Sequence, residues 1–63
     1  MNCQSENFKY MIIEGRQLFA IGRKQVLESE GYNQIGTPFT FLKEVEPKGT
    51  QQIYYMILMA KRL

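Results

Sequence analysis

Gln52-Ile53-Tyr54-Tyr55-Met56-Ile57-Leu58-Met59-Ala60-Lys61 is the stretch that decides how this chain folds. From Ile53 to Ala60 every side chain is apolar or aromatic. The run is rich in aromatic and β-branched types and short for a helix, so it reads as a strand. Successive strand side chains point to opposite faces. Ile53, Tyr55, Ile57 and Met59 therefore line one face, and Tyr54, Met56, Leu58 and Ala60 the other. Both faces are apolar and both need cover. A chain of 63 residues has material to cover one of them well. The second face is expected to meet another copy or a partner protein.

Size sharpens that expectation. A domain this small buries only about 60% of its unfolded surface and needs a staple. Cys3 is the sole cysteine and histidine is absent, so neither an internal disulfide nor a usual zinc site is available. Oligomerisation is the staple left, and no metal or cofactor is expected. Hydrophobic residues make up 44% of the chain, which argues for a globular domain rather than disorder. Eight Lys or Arg against six Glu give a net charge of +2. A dedicated nucleic-acid binder carries a denser basic stripe, so nucleic acid is an unlikely partner, while a small anionic ligand fits. A lone cysteine points to a reducing compartment. Residues 1–7 read as a flexible polar lead-in without the apolar core of a secretion signal. No apolar run approaches the length that spans a bilayer. A cytoplasmic protein without membrane association is the expectation.

Working outward, Glu46-Pro47-Lys48-Gly49-Thr50 reads as a hairpin turn leading into the apolar strand. Before it, Phe39, Phe41, Lys43 and Val45 alternate with Thr40, Leu42 and Glu44, as in an edge strand with one aromatic face. Pro38 must sit at a start, an edge or a bulge. Phe8 to Ile13 reads as a first strand, with Glu14-Gly15 breaking it. Arg16 to about Glu30 reads as a helix capped by Gly31, with Tyr32 anchoring the chain back onto the core. Leu18, Phe19, Gly22 and Val26 share an arc of about 100° and form the expected packing face, flanked by Ile21. Gly22 within it would let the helix approach the sheet, or a ligand, closely. Ala20 and Leu27 fall on the far side.

Residues 8–63 thus make a single α+β domain of order β-α-β-β. A right-handed crossover sets strands one and two parallel, with the doubly apolar strand three between them. The sheet is mainly antiparallel, and one helix packs on one face.

Lys9-Tyr10-Met11-Ile12-Ile13, an amphipathic helix, Glu30-Gly31-Tyr32, Ile35-Gly36, Phe39 and a closing apolar strand together resemble a group of short bacterial and bacteriophage domains of unknown function. In these, a first strand KYxVV leads to a helix ending in EGW or EGY and then a two-stranded hairpin. The likeness covers about residues 8 to 61. The chain departs from it in carrying Tyr32 where Trp is more usual, and in Gly22 within the helix. The resemblance implies the small α+β fold and a bacteriophage origin. It carries over no catalytic residue.

Catalysis is not expected. His and Asp are absent, Ser5 and Ser29 have no base for a triad, and there is no glycine-rich phosphate loop. The expected function is a non-enzymatic homo-oligomer that binds or sequesters a small anionic ligand. With a phage origin, that ligand would be a host immune signalling nucleotide and the protein an anti-defence sponge. Tyr54 and Tyr55 could stack on a base, and Arg23, Lys24, Lys43, Lys61 and Arg62 could pair with phosphates, beside Thr37. Met11, Ile53, Met56, Ile57 and Leu58 are the expected oligomer interface. The alternative is an inhibitor or adaptor that docks a host protein on the apolar sheet face. For each tyrosine the plainer role is packing, and for each cation a solvated surface charge.

Overall fold

The computed structural model describes residues 7–63. Cys3, Ser5 and the rest of residues 1–6 of the expected lead-in lie outside the described residues. Phe8–Gly15 form β1, Gln17–Ser29 α1, Asn33–Val45 β2 and Thr50–Arg62 β3. The sheet order is β1-β3-β2 and both pairings of β3 are antiparallel. The doubly apolar strand is therefore central, and β1 and β2 run parallel to each other. The turn holds Gly49 at a φ of 94°, and the Glu44 carboxylate accepts the Gly49 N–H at 2.7 Å. Gly36, at a φ of 71°, and Pro38 sit in the register shift between Ile35 and Phe39. This bulge is where a strand tolerates both residue types.

The helix is joined to β1 by Arg16 alone, so Gly15 continues the strand rather than breaking it. Gly15 is needed for space: a Cβ there would run into the Phe19 ring. At the other end Gly31 adopts a φ of 99°. The Tyr32 N–H donates to the Leu27 carbonyl and the Gly31 N–H to that of Glu28, both at 3.0 Å. That pair of bonds is a Schellman cap, and its apolar contact is made by Leu27 and Tyr32.

The core joins Ile13, Ala20, Leu27, Tyr32, Ile57 and Met59, with Met11 and Tyr55 packed against it. The helix thus covers the Tyr55, Ile57 and Met59 side of β3. It does so through the face opposite the expected one. Ala20 is 1% exposed and Leu27 2%, whereas Leu18 is 84% exposed and Phe19 60%. Ile21, Val26 and Gly22 are exposed as well. The connections explain the difference: one residue into the helix and a Schellman turn out of it leave no freedom to rotate about the axis. Small Ala20, not Gly22, provides the close approach to the sheet, and a Cβ at Gly22 would meet nothing.

β1 ends opposite Tyr55, while the β2–β3 hairpin runs on to Val45 and Thr50. The hairpin projects as an arm beyond both β1 and the helix. The radius of gyration is 14.9 Å and the extents are 52 × 25 × 16 Å. A compact chain of this length has a radius near 11 Å. Among the described residues no helix is long and apolar enough to cross a membrane.

Candidate binding face

Directly opposed residues in antiparallel strands point to the same side of a sheet. The register therefore builds the face that the helix leaves open, row by row. Ile12, Leu58 and Ile35 share a row, and so do Glu14, Met56 and Phe39, Tyr54 and Phe41, and Tyr10, Ala60 and Asn33. Phe8 and Arg62 close one end, and Lys43 and Gln52 lie toward the other. Aromatic contacts bind the rows together. Phe39 and Phe41 stack with ring centroids 6.1 Å apart, Phe41 lies 6.0 Å from Tyr54, and Phe8 lies 6.3 Å from Tyr10.

Much of this face meets solvent. Ile12 is 65% exposed, Phe39 61% and Tyr10 59%. Charges mark its ends. The Lys43 ammonium stands 4.9 Å from the Tyr54 ring centroid and 3.4 Å from a Glu14 carboxylate oxygen. The Arg62 guanidinium lies 5.9 Å from the centroid of Phe8. An apolar, aromatic centre with charges at the rim is the anatomy of a protein interface.

The residues expected to form the interface divide between the two sides. Met56 and Leu58 belong to the open face. Met11 and Ile57 pack beneath the helix and serve the core. Ile53 lies on the helix side of β3, but on the arm beyond the helix, and is 58% exposed. Phe8, Tyr10, Ile12, Ile35 and Phe41 complete the open face. The even-numbered row of β3, extended through an antiparallel register to its two neighbours, is the sequence signal that identifies them.

The eight residues expected to hold an anion do not converge. Lys43 and Tyr54 meet on the open face. Arg62 shares that face but lies eight positions along β3 from Tyr54, a span of about 27 Å. Lys61 points to the helix side, 5.8 Å from the Tyr32 ring centroid. Lys24 pairs with Glu28 at 3.9 Å on the helix, and Arg23 is exposed beside it. Thr37 sits in the β2 bulge, and Tyr55 packs against the core. A separate open cleft of about 870 Å³ lies where β1 stops. Its walls include Arg16 and Leu18 from the helix start and Gln51, Ile53 and Tyr55 from β3. Among the described residues no group of His, Cys, Asp or Glu is placed to hold a metal ion. Comparison of the chain with protein-family models, with curated proteins and with solved structures found no match.

Proposed function

We propose that this chain is a non-enzymatic, self-assembling binding protein whose open sheet face closes against that of a second copy. The observation that carries this reading is the apolar face from Tyr10 and Ile12 through Leu58 and Met56 to Phe39 and Phe41, with Glu14 the one charge at its β1 margin, paired with Lys43. Exposed apolar patches beyond a few hundred Å² mark interaction sites, and two such faces can pack at about 10 Å as a sandwich. The face is the same on every copy, so a two-fold arrangement matches apolar centre to apolar centre. Light scattering coupled to size exclusion tests it. The wild type should run as a multiple of 7.4 kDa at micromolar concentration. Leu58→Lys should lower that mass while far-ultraviolet circular dichroism stays unchanged. A wild type that remains monomeric overturns the reading, and transfers the face to a different protein partner.

A second reading, capture of a small anionic ligand at the junction of subunits, draws on Lys43 beside Tyr54 at the rim of the same face. The Glu14 carboxylate offsets the Lys43 charge there, which places this reading second. Native mass spectra recorded with a panel of cyclic and linear nucleotides test it: a discrete adduct, released intact on denaturation, is the expected result.

A further inference from the structure

The cleft beside the helix start follows a strand edge that has no neighbour. Leu63 donates its N–H to the Asn7 carbonyl at 3.1 Å, and strand groups alternate in direction. Odd-numbered residues of β3 therefore offer N–H and C=O toward β1. Gly15 pairs with Tyr55, and β1 stops there. The outward groups of Gln51 and Ile53 are left open, and Gln51, Gln52 and Ile53 all line the cleft. The void thus runs along the strand edge. The outer edge of β1 is blunted by Lys9 and Glu14, and that of β2 by its bulge, Pro38, Lys43 and Glu44. These are the usual protections of an edge. Thr50 to Ile53 carry none of them.

This slot is short and blind. Arg16 continues the extended backbone of β1, with a φ of −70° and a ψ of 164°, to the place opposite Tyr54. Only the stretch from Thr50 to Ile53 is free. A strand that ran further would meet Arg16, whereas a chain end would not. The blind end is also cationic. Arg16 is the one charged residue lining the cleft. Its side chain does not cap the helix, and among the described residues its guanidinium has no ion pair or hydrogen bond. The side-chain amides of Gln17 and Gln51 are unpartnered in the same way. Leu18, Ile53 and Tyr55 supply apolar wall.

We propose that this cleft binds the C-terminal segment of a partner protein, laid parallel to β3 with its carboxylate against the Arg16 guanidinium. Three kinds of group point to that occupant. Open N–H and C=O groups in strand register match a polypeptide backbone. The unpaired cation at the blind end draws a terminal carboxylate and repels a terminal amine, which sets the direction of the chain. The apolar wall fixes the last side chain. In a parallel pairing the residue beside Gln52 donates its N–H to the Gln51 carbonyl and accepts the Ile53 N–H. The residue two places earlier accepts the Gln51 N–H. The last residue stands beside Ile53 and sends its side chain to the helix side, toward Leu18 and Tyr55, so it is apolar. The site lies at the edge of β3 and does not depend on pairing of the open faces.

Fluorescence anisotropy tests this with hexapeptides labelled at the N-terminus and ending in Leu, Ile, Val or Phe, each as the free acid and as the amide. At least one free acid should bind, and its amide should bind about tenfold to a hundredfold more weakly, the range for a hydrogen bond to a charged group. Arg16→Gln should bring acid and amide to the same affinity, a result that a merely destabilised protein would not give. Methylating the backbone nitrogen of the residue before the last removes the N–H meant for Gln51 and should abolish binding to the unaltered protein. Leu58→Lys should bind the acid as the wild type does, whether or not the open faces pair. Equal binding of acid and amide by the wild type, or no binding of any acid at millimolar peptide, overturns the proposal. Unchanged binding of the methylated peptide does so as well, and needs no variant to fold.

Discussion

Ile57 and Leu58 are neighbours in β3 that serve opposite sides of the sheet: Ile57, beneath the helix, is 4% exposed, and Leu58, on the open face, is 37% exposed. A charge at the two positions should have opposite consequences. Ile57→Lys places an unpaired ammonium in the core, a loss of about 3–5 kcal/mol. That rivals the whole stability of a small domain, near 5 kcal/mol. It should leave the chain unfolded by circular dichroism. Leu58→Lys should keep the fold and reduce the particle mass. Loss of fold in both variants would mean that the open face is integral to the fold of each copy.

Ala20 and Gly22 make the corresponding pair on the helix. Ala20 is 1% exposed, and a Cβ on Gly22 would meet nothing. Gly22→Ala should stabilise the protein by about 0.5–1 kcal/mol through helix propensity alone. Ala20→Leu should destabilise it by about 1–3 kcal/mol through overpacking. Urea melts of both variants measure the difference. A destabilising Gly22→Ala would place a partner against the outer helix surface.

The strands were legible in the sequence because their signals are local and strong. The run Ile53 to Ala60 can sit comfortably only at the centre of a sheet, and the turn at Glu46–Gly49 fixes which strand lies beside it. Gly31 and Tyr32 announce the helix end for similar reasons. The azimuth of the helix was not legible. Apolar periodicity marks Leu18, Phe19, Gly22 and Val26, but rotation about the axis is set by the single residue Arg16 and by the cap at Gly31. Two apolar helix faces compete, and connection geometry selects the one with fewer large side chains. The same lack of local signal hid which face of β3 the helix covers, and so exchanged Ile57 and Met11 for Phe39, Ile12 and Tyr10 on the open face. The expected anion residues were chosen by chemical type, and type carries no information on which face of a strand two residues share.

Gly31 should tolerate substitution poorly. Its φ of 99° lies where an L side chain is strained, at a cost of about 1–2 kcal/mol. A Cβ there would also contact the Lys61 stem at 3.4 Å. Gly31→Ala should therefore lower the denaturation midpoint, with the slope unchanged, as expected when stability changes and the unfolding transition does not. Gly31→Asn should recover part of the loss, because Asn tolerates left-handed backbone better than Ala does.

Lys43 separates a structural role from a ligand-binding one. Its pair with Glu14 is exposed on both sides, and such pairs contribute about 0–1 kcal/mol. Lys43→Ala should thus leave the urea midpoint and the particle mass nearly unchanged. Under the anion-binding reading it should nonetheless remove the nucleotide adduct from native mass spectra, and Glu14→Gln should strengthen it by relieving the competing charge. An adduct indifferent to both variants would locate the ligand away from this rim.

The arm offers the most direct test of assembly. An isolated two-stranded hairpin is marginal in water, and beyond Gly15 the arm has no β1 strand paired to it and meets the helix start only across an open cleft. In a monomer, the amides of Phe41, Lys43 and Tyr54 should exchange with solvent far faster than those of Ile57 and Met59, because local opening costs little where few apolar contacts close. If the open face pairs with that of a second copy, as proposed, the arm is covered in the assembly. Its amides should then slow toward the core rate, and speed up again on dilution below the dissociation constant. Amide exchange followed by mass spectrometry at two protein concentrations reads this directly. Arm amides that exchange fast at every concentration would show that no partner copy covers the hairpin.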